Sequence, residues 1–380
     1  MAGIYLHIPF CKQACSYCNF HFSTVLKSQD IVLHAMLQEL ENRQDFFSGE
    51  TEIESIYFGG GTPSILPPDE IQKLIVKIHQ LFTVSPKAEI TLEANPDDLS
   101  RDYLAALKKN TPINRFSIGI QSFLDAGLQY MHRAHHAEQA KNCIKTAQDV
   151  GFQNLSIDLI YGTPTMNNEQ WEYNLQTAFD LHIPHLSCYA LTVEEKTALA
   201  NHIQKRKTIA PDEAQMVQQF SILMQAMQQQ KYVHYEISNF AKESHFAVHN
   251  TNYWKGIPYL GIGAAAHSYN GENRFWNIAN NAIYVQKIKE NKIAYETETL
   301  TNDNRYNEYV MTRIRTIFGI DATAIKQNFG ESYYVHFKLE ISPFLSNKWV
   351  VENNEIYTLT DAGKIFCDYI TEHLFADDLS

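Results

Sequence analysis

Short apolar runs alternate with helical patterns over the first 190 residues of this 380-residue chain. Six runs have the length and composition of strands, and they lie near residues 4–8, 53–58, 89–93, 115–120, 155–160 and 185–190. Helical periodicity separates them at residues 31–47, 71–82, 99–108, 137–150 and 171–181. Strand–helix alternation needs right-handed crossovers and produces a parallel sheet. The pattern therefore predicts an α/β fold, a partial (β/α)6 barrel that stops short of the about eight units of a closed one.

The regular pattern ends after a further helix predicted over residues 211–230, which begins Pro-Asp-Glu. Residues 231–290 are rich in Tyr, Asn, His and Gly, which favours strands and loops. A new helical pattern starts at about residue 300 and includes residues 309–318. The last 50 residues have the pattern of a small α+β unit, whose final helix opens at residues 359–363 and runs to residue 374. We therefore predict three parts: a barrel domain over 1–230, linking strands and loops over 231–295, and a C-terminal domain over 296–380.

Composition limits the function classes. The formal charge is −12, which argues against a general nucleic-acid-binding surface. The sequence has no run of about 18 apolar residues and its first ten residues lack the basic start of a signal peptide. Six cysteines are too few for a disulfide scaffold, so we expect a reduced, cytoplasmic protein.

Three of those cysteines form one cluster. Cys11, Cys15 and Cys18 follow the first predicted strand with the spacing C-x3-C-x2-C. Three thiolates on one loop suit three irons of a [4Fe–4S] cluster and leave the fourth iron open to a small molecule. The alternative is a zinc site with His7 or His21 as its fourth ligand, although structural zinc usually takes its ligands from separated pairs.

The cysteine spacing resembles that of the radical S-adenosylmethionine (SAM) superfamily, whose fold is a partial β/α barrel. The wider string from Tyr5 to Cys11, Tyr-Leu-His-Ile-Pro-Phe-Cys, resembles the branch that contains oxygen-independent coproporphyrinogen III oxidase and the haem chaperone HemW. This resemblance runs over nearly the full chain. It implies that a reduced cluster passes an electron to SAM and cleaves it to a 5′-deoxyadenosyl radical.

The resemblance also implies a SAM site at the carboxyl ends of successive strands, where β/α barrels build their sites. Glycines let the backbone approach the methionine end of SAM, Glu93 suits its amino group, Arg133 a carboxylate and Asp158 the ribose hydroxyls. For Tyr5 and Tyr17, ordinary packing is the alternative to contact with SAM or the cluster. The cofactor-binding residues implied are Tyr5, Tyr17, Gly60, Gly61, Thr62, Glu93, Gln121, Arg133 and Asp158.

Two departures separate this chain from the oxidase. The oxidase has a further cysteine where this chain has Phe20, and a long extension where only ten residues precede Cys11. A further indication of the HemW branch is the string His249-Asn-Thr-Asn-Tyr253-Trp254, which matches its H-N-x-x-Y-W signature. Imidazole ligates haem iron and aromatic rings cover a macrocycle, so these three residues are the haem candidates. The alternative is that His249 binds backbone and Trp254 packs.

A second glycine-rich segment, from Gly261 to Ser268, mimics a dinucleotide-binding fingerprint. It lacks the strand-to-helix context and the later acidic residue that such a site needs, so we interpret it as a glycine turn near the barrel. His267, within it, is a weaker haem or substrate candidate.

The resemblance implies a haem chaperone of the radical SAM family, with a [4Fe–4S] cluster, a SAM site and haem as cargo. The partners that it implies are haem and acceptor haem proteins, among which membrane respiratory complexes are one class. The sequence does not decide whether the chain forms a homodimer. Whether the chain is an enzyme is left undecided, and no catalytic residue is assigned. The alternative is a radical SAM enzyme such as coproporphyrinogen III oxidase, or a related tetrapyrrole or methyl-transfer catalyst.

Overall fold

The computed structural model describes residues 1–49, 51–377 and 379. Six parallel strands form the centre of its main sheet, and each is hydrogen-bonded to the next. They are β1 (Ala2–Ile8), β2 (Ile53–Gly60), β3 (Val84–Ala94), β4 (Arg115–Gln121), β5 (Leu155–Tyr161) and β6 (His185–Ala190). The prediction of a partial six-unit barrel is confirmed, since the six predicted runs all lie inside these strands.

Amphipathic helices cover the outer face of the sheet. In the second of them, Ile71, Leu74, Ile75 and Ile78 recur at helical spacing and are buried. The helices of the barrel are α1 (Gln29–Asn42), α2 (Pro68–Leu81), α3 (Arg101–Asn110), α4 (Asp125–Tyr130), α5 (Ala137–Val150), α6 (Asn168–Asp180), α7 (Ala198–Gln204) and α8 (Glu213–Gln229). Helix α1 ends before residue 47, where the prediction placed its end, because Arg43 leaves helical geometry and its guanidinium lies against Glu39 and the Tyr295 ring.

The parallel strands bury two different faces. Alternate residues of a strand point to opposite sides, and in β1 the residues Ile4, Leu6 and Ile8 pack into the hydrophobic core under the helices. Tyr5 and His7 point the other way, into the barrel interior, where the Tyr5 hydroxyl donates to His7 Nδ1 at 3.2 Å. The interior is therefore a column of polar and aromatic side chains.

Residues 231–299 are more than a linker, because their strands extend the sheet at both edges. Next to β6 lie β8 (Asn239–Ala241) and β7 (Val233–Glu236), both antiparallel to their neighbours. Next to β1 lies β9 (Tyr259–Ile262), which is parallel to it, followed by the antiparallel β10 (His267–Tyr269), β11 (Asn273–Asn277) and β12 (Tyr295–Thr299). Two helices also occur here: α9 (Val248–Trp254) and α10 (Asn281–Lys289). The prediction of strands and loops for this region missed both helices.

The C-terminal part has its own hydrophobic core and a small antiparallel sheet. Its first helix begins at Asn302, close to the predicted start near residue 300, where the Thr301 hydroxyl caps it by accepting from the Asn304 amide. The predicted final helix is split at Phe366, whose ring stacks on Trp349 at 4.2 Å. The elements are α11 (Asn302–Ile314), β13 (Ile320–Asp321), α12 (Ala322–Phe329), α13 (Glu331–Ser346), β14 (Val350–Asn353), β15 (Ile356–Leu359), α14 (Asp361–Lys364) and α15 (Cys367–His373).

The predicted small α+β C-terminal domain is thus confirmed as a fold, while the three domain boundaries stay predictions. Within the described part of the chain, none of the helices has the length and apolar character needed to span a membrane.

Candidate functional site

The cysteine loop lies at the carboxyl end of β1. It folds back on the strand, since the Cys11 amide donates to the Ser23 carbonyl at 3.1 Å and the Ser23 amide to the Pro9 carbonyl at 2.9 Å. Cys11, Cys15 and Cys18 all border a cavity of about 510 Å³ at the carboxyl ends of the barrel strands. The loop therefore presents its three thiols to one shared space.

The glycines after β2 allow the cysteine loop to lie directly against the next turn. The Gly61 amide donates to the Ile8 carbonyl at 2.9 Å, and the Thr62 amide donates to the Phe10 carbonyl at 2.7 Å. A Cβ on Gly61 would lie 2.5 Å from the Phe10 oxygen, and Gly60 has a φ of +106° that favours glycine. A side chain at Gly61 would separate the two loops, and a Cβ at Gly60 would lie 2.7 Å from the His7 ring.

A chain of hydrogen bonds connects the side chains behind two of the thiols. The Thr62 hydroxyl donates to Cys11 Sγ at 3.4 Å and accepts from Asn95 Nδ2 at 3.1 Å. Asn95 Oδ1 accepts from Arg133 Nη2 at 2.6 Å, and Arg133 Nη1 donates to Cys15 Sγ at 3.3 Å. Asn95 is thus the central member of this chain, and the sequence had not pointed to it.

The segment before Arg133 holds the cysteine loop from its other side. Gln13 Nε2 donates to the His132 carbonyl at 2.8 Å, and His132 Nδ1 donates to the Ala14 carbonyl at 2.8 Å. His132 has a φ of +56°, which costs a non-glycine residue about 1–2 kcal/mol. These contacts fix the loop that carries Arg133 against the loop that carries the thiols.

Two buried carboxyl groups border the same cavity. Glu93 Oε1 accepts from the Tyr57 hydroxyl at 2.8 Å, and burial raises the pKa of Glu93 to about 7. Burial also raises the pKa of Asp158 to about 6, although Arg115 and the hydroxyls of Ser187 and Ser117 act in the other direction. A positively charged or hydrogen-bond-donating ligand would therefore stabilise the ionised form of both carboxyl groups.

The structure brings most of the predicted site residues together. The predicted residues that border the cavity are Cys11, Cys15, Cys18, Tyr17, Gly60, Gly61, Thr62, Glu93, Gln121, Arg133 and Asp158. Gln121 ends β4 with a φ of +63°, so its side chain turns out of the strand's regular alternation. Further lining residues that the sequence had not indicated are Gln13, Asn19, Phe20, Phe22, Asn95, Tyr189, Thr192 and Glu194.

Tyr5 is not among the residues that border this cavity. It lies in the barrel interior, where its ring stacks with Tyr57 at 6.1 Å and with His249 at 6.2 Å. Because burial raises its pKa well above the ordinary value, Tyr5 stays a neutral phenol there. The ring contacts of Tyr5 are thus those of a packed interior residue, and its contact with SAM or the cluster stays a prediction.

The histidines of the zinc alternative have other partners. His7 Nε2 donates to the His21 carbonyl at 2.9 Å while its Nδ1 accepts from Tyr5, so both ring nitrogens are engaged. His21 Nε2 bonds to Asn281 Oδ1 at 2.9 Å. Among the described residues no three side chains of His, Cys, Asp or Glu converge closely enough to hold a single metal ion. The donor set suits a cluster, which spreads its ligands over several irons, better than zinc.

The haem-candidate residues lie on α9, at the opposite end of the barrel from the cysteines. The amides of Val248 and His249 donate to the buried carboxylate of Glu89, at 3.0 and 3.1 Å. The His249 ring stacks on Tyr57 with centroids 5.0 Å apart, and its Nδ1 lies 2.9 Å from Ser55 Oγ. Burial lowers the pKa of His249 to about 4, so the imidazole is neutral.

The other two residues of this motif point elsewhere. Tyr253 borders a second cavity, between the barrel and the C-terminal part. Trp254 lies under the guanidinium of Arg315, which is 5.6 Å from the centre of the ring, and its buried Nε1 has no hydrogen-bond partner among the described residues. The helix thus distributes the three candidates among three environments, none of them the cysteine cavity.

The second glycine-rich segment forms the turn between β9 and β10. Gly263 has a φ of +105°, and a Cβ there would lie 2.5 Å from the His7 carbonyl oxygen. His267 is exposed and pairs across the sheet with Trp276. This arrangement agrees with a glycine turn beside the barrel.

Two family models match the chain, one in the barrel and one in the C-terminal part. The family model described as the Radical SAM superfamily matches residues 5–178, and that of the HemN C-terminal domain matches residues 300–366. The solved structure of coproporphyrinogen III oxidase (HemN) from Escherichia coli has a TM-score of 0.84 and 23% identity, covering 99% of this chain and 90% of that one. The fold and the three-cysteine loop define a radical SAM protein with a HemN-type C-terminal domain.

Relatives in sequence narrow this class. The heme chaperone HemW of Bacillus subtilis is 34% identical over 371 residues, which cover 96% of this chain and 97% of that protein. The heme chaperone HemW of Escherichia coli is 35% identical over 269 residues, covering 70% and 69%. The chain belongs to the HemW family of the radical SAM superfamily.

Superfamily membership implies a [4Fe–4S] cluster and SAM, and the residues present fit both groups. Three thiols border one cavity, and the pKa of Cys11 is raised to about 11 by burial, so that thiol would need iron to deprotonate it near neutral pH. Arg133 Nε is buried and has no hydrogen-bond partner among the described residues, so it is available to an acceptor.

Proposed function

We propose that this protein binds haem and delivers it to acceptor haem proteins. The single observation that carries the proposal is the relation to proteins named heme chaperone HemW over nearly the full length of both chains. The H-N-x-x-Y-W string on α9 and the replacement of the oxidase's further cysteine by Phe20 support the same branch.

In this proposal Cys11, Cys15 and Cys18 hold the cluster. The cluster supplies an electron to SAM when both are bound. The chain's own residues orient the ligand: Glu93 accepts from its ammonium group, the free Nε of Arg133 donates to its carboxylate, and Asp158 accepts from its ribose hydroxyls. The Thr62–Asn95–Arg133 chain of hydrogen bonds keeps the cysteine loop and the ligand-binding side chains in fixed relative positions.

A radical SAM enzyme acting on a tetrapyrrole is the alternative function. The observation in its favour is the complete set of cavity residues, including two carboxyl groups with raised pKa values, which a carrier of haem would not need for binding cargo alone. The two functions differ in a measurable way, because an enzyme changes its tetrapyrrole whereas a chaperone releases it unchanged.

The test is an anaerobic haem titration of the cluster-reconstituted protein, followed in the Soret band. The proposal requires saturation near one haem per chain, and then transfer of intact haem to an apo-haem protein. Absence of saturable binding would contradict it. Turnover of coproporphyrinogen or another tetrapyrrole in step with 5′-deoxyadenosine release would favour the enzyme.

The same titration of His249→Ala tests the assignment of His249 as a haem ligand. If His249 is the axial ligand, the variant binds haem more weakly or with a shifted Soret band. A variant with unchanged spectrum and affinity would remove His249 from the haem site and leave it a packing residue of the barrel interior.

A further inference from the structure

A second cavity, of about 270 Å³, lies between the barrel edge and the C-terminal part. Its barrel side comes from the end of α9 and the starts of β9 and β11, and its other side from α11 and α12. Tyr259 in its wall pairs with Gly3 at the amino end of β1, so this cavity opens at the end of the barrel opposite to the cysteine loop. We call it the interdomain cleft.

The cleft concentrates positive charge in a chain whose formal charge is −12. Lys255, Arg305 and Arg313 line it, and among the described residues none of the three has a carboxylate within salt-bridge distance. Arg313 donates to the Lys255 carbonyl at 3.2 Å, so these two residues are held together. A fourth cation, Arg274, is neutralised by Glu308 at 2.5 and 2.9 Å. Lys255, Arg305 and Arg313 therefore have no carboxylate partner among the described residues, and the Lys255 ammonium lies over the Phe318 ring at 4.4 Å.

Aromatic rings line the same space. Tyr253 is 37% exposed and packs against the Tyr259 ring at 5.8 Å, and Tyr309 and Phe329 pack against each other at 5.8 Å on the opposite wall. Flat rings beside unpaired cations are the combination that recognises a planar ligand with anionic substituents.

We propose that the interdomain cleft binds the carboxylate-bearing edge of haem, with Lys255, Arg305 and Arg313 pairing its two propionates and Tyr253 contacting the macrocycle. The inference deepens the proposed haem-chaperone function and rests on it. It gives Tyr253 of the H-N-x-x-Y-W string a direct role in cargo binding.

The volume limits how much of the ligand the cleft encloses. Sites that bury a whole drug-sized ligand start at about 300 Å³, and this cleft is smaller. It therefore takes one edge of a tetrapyrrole and leaves the other edge exposed, which suits a protein that passes its ligand to a partner. The position also separates cargo from the cysteine cavity, so that haem binding requires no contact with the cluster.

The test compares haem with haem dimethyl ester, in which both carboxylates are neutral, on the full-length, cluster-reconstituted protein. The wild type binds haem at least roughly tenfold more tightly than the diester, because charge-assisted contacts are lost with the ester. Arg305→Gln/Arg313→Gln binds haem more weakly and no longer distinguishes the two ligands. The matched control, Lys145→Gln/Lys289→Gln, changes the net charge equally at exposed helix positions that do not line the cleft, and it keeps the wild-type preference.

The outcomes separate this inference from the function on which it rests. No saturable haem binding by the wild type contradicts the chaperone function. Saturable binding with equal affinity for haem and its diester, or an equal loss in the control variant, overturns the cleft assignment alone. The diester comparison on the wild type needs no substitution, so it decides the question even if the double variant folds poorly.

Discussion

Arg133 donates through Nη1 to the sulfur of Cys15 at 3.3 Å, although the two residues are 118 positions apart in the chain. The same guanidinium donates to Asn95 Oδ1 and to the Gly119 carbonyl, at 2.6 and 2.7 Å. One side chain thus fixes a cysteine of the first loop relative to the ends of β3 and β4. The geometry of the cavity therefore depends on the relative positions of the ends of β1, β3 and β4.

Asn95→Ala removes the link between Thr62 and Arg133. Each lost hydrogen bond is worth about 1 kcal/mol, so we expect SAM affinity to fall roughly tenfold and the cluster to be lost faster in air. The measurements are SAM binding by equilibrium dialysis and iron content against time. Asn142→Ala, at an exposed position of α5, is the matched control, and equal behaviour of the two variants would contradict this role for Asn95.

The affinity for SAM should depend on pH through Glu93. Burial raises the pKa of Glu93 to about 7 in the free protein, so below that pH a bound ammonium group must displace a proton. Affinity then falls as pH drops below 7, by up to about tenfold per pH unit. Titrations between pH 6 and 8 check this. Glu93→Gln should bind weakly at every pH with a flatter profile, and a variant with the wild-type slope would assign the titration to another group.

Gly61→Ala should prevent cluster assembly with little change in the rest of the barrel. The added Cβ meets the Phe10 and Ile8 carbonyl oxygens at 2.5 and 2.9 Å, and both belong to backbone that is already hydrogen-bonded. Reconstituted iron content falls well below that of the wild type. Gly127→Ala, whose closest new contact is the Ser122 side chain at 3.3 Å, is the control and should load normally.

His249 makes the folded protein sensitive to acid. Its folded pKa of about 4 lies below the unfolded value of about 6.5, so the unfolded chain binds more protons between these pH values. Its contribution to the free energy of unfolding is complete above pH 6.5 and is lost as pH falls towards 4. The loss reaches at most about 2 kcal/mol at pH 5. The difference in melting temperature between pH 7 and pH 5 should be smaller for His249→Phe than for the wild type. An unchanged difference would show that other buried histidines dominate.

Glu39 holds the segment that extends the sheet beside β1 against the barrel. Its carboxylate accepts from the Gly263 amide at 2.9 Å, the Tyr284 hydroxyl at 2.6 Å and Asn277 Nδ2 at 2.8 Å. Glu39→Ala leaves Arg43 buried without its carboxylate and should cost about 3 kcal/mol in the free energy of unfolding. Thermal melting checks this, with the exposed Glu172→Ala as control. A loss no larger than that of the control would contradict the role.

The central strands were predictable because their buried residues leave strong local patterns. Residues 53–58 and 155–160 each contain four apolar residues of six, which is a strong local signal for a buried strand. The edge strands β7 to β12 are shorter and rich in polar and aromatic residues, so local sequence does not separate them from loops. Helix α9 was missed for a related reason: its seven residues include two asparagines and no apolar stripe.

The site was predictable to the extent that its residues end strands. Glu93 and Gln121 follow apolar runs, and the carboxyl ends of parallel strands meet at one face. Asn95 also follows β3, but its role depends on Thr62 and Arg133, which reach it only in three dimensions. Tyr5 was grouped with the cavity residues although it lies deeper in β1, among the rings of the interior. The interdomain cleft has no local signature at all, since its cations come from residues 255, 305 and 313.

The pairing of Gly3 with Tyr259 also affects the order in which the strands pair during synthesis. During synthesis β9 leaves the ribosome only after β1, the other five parallel strands and their helices. Pairs so distant in sequence form slowly, and an unpaired apolar edge invites aggregation until they do. Strand β1 therefore waits for β9 before both of its edges are covered.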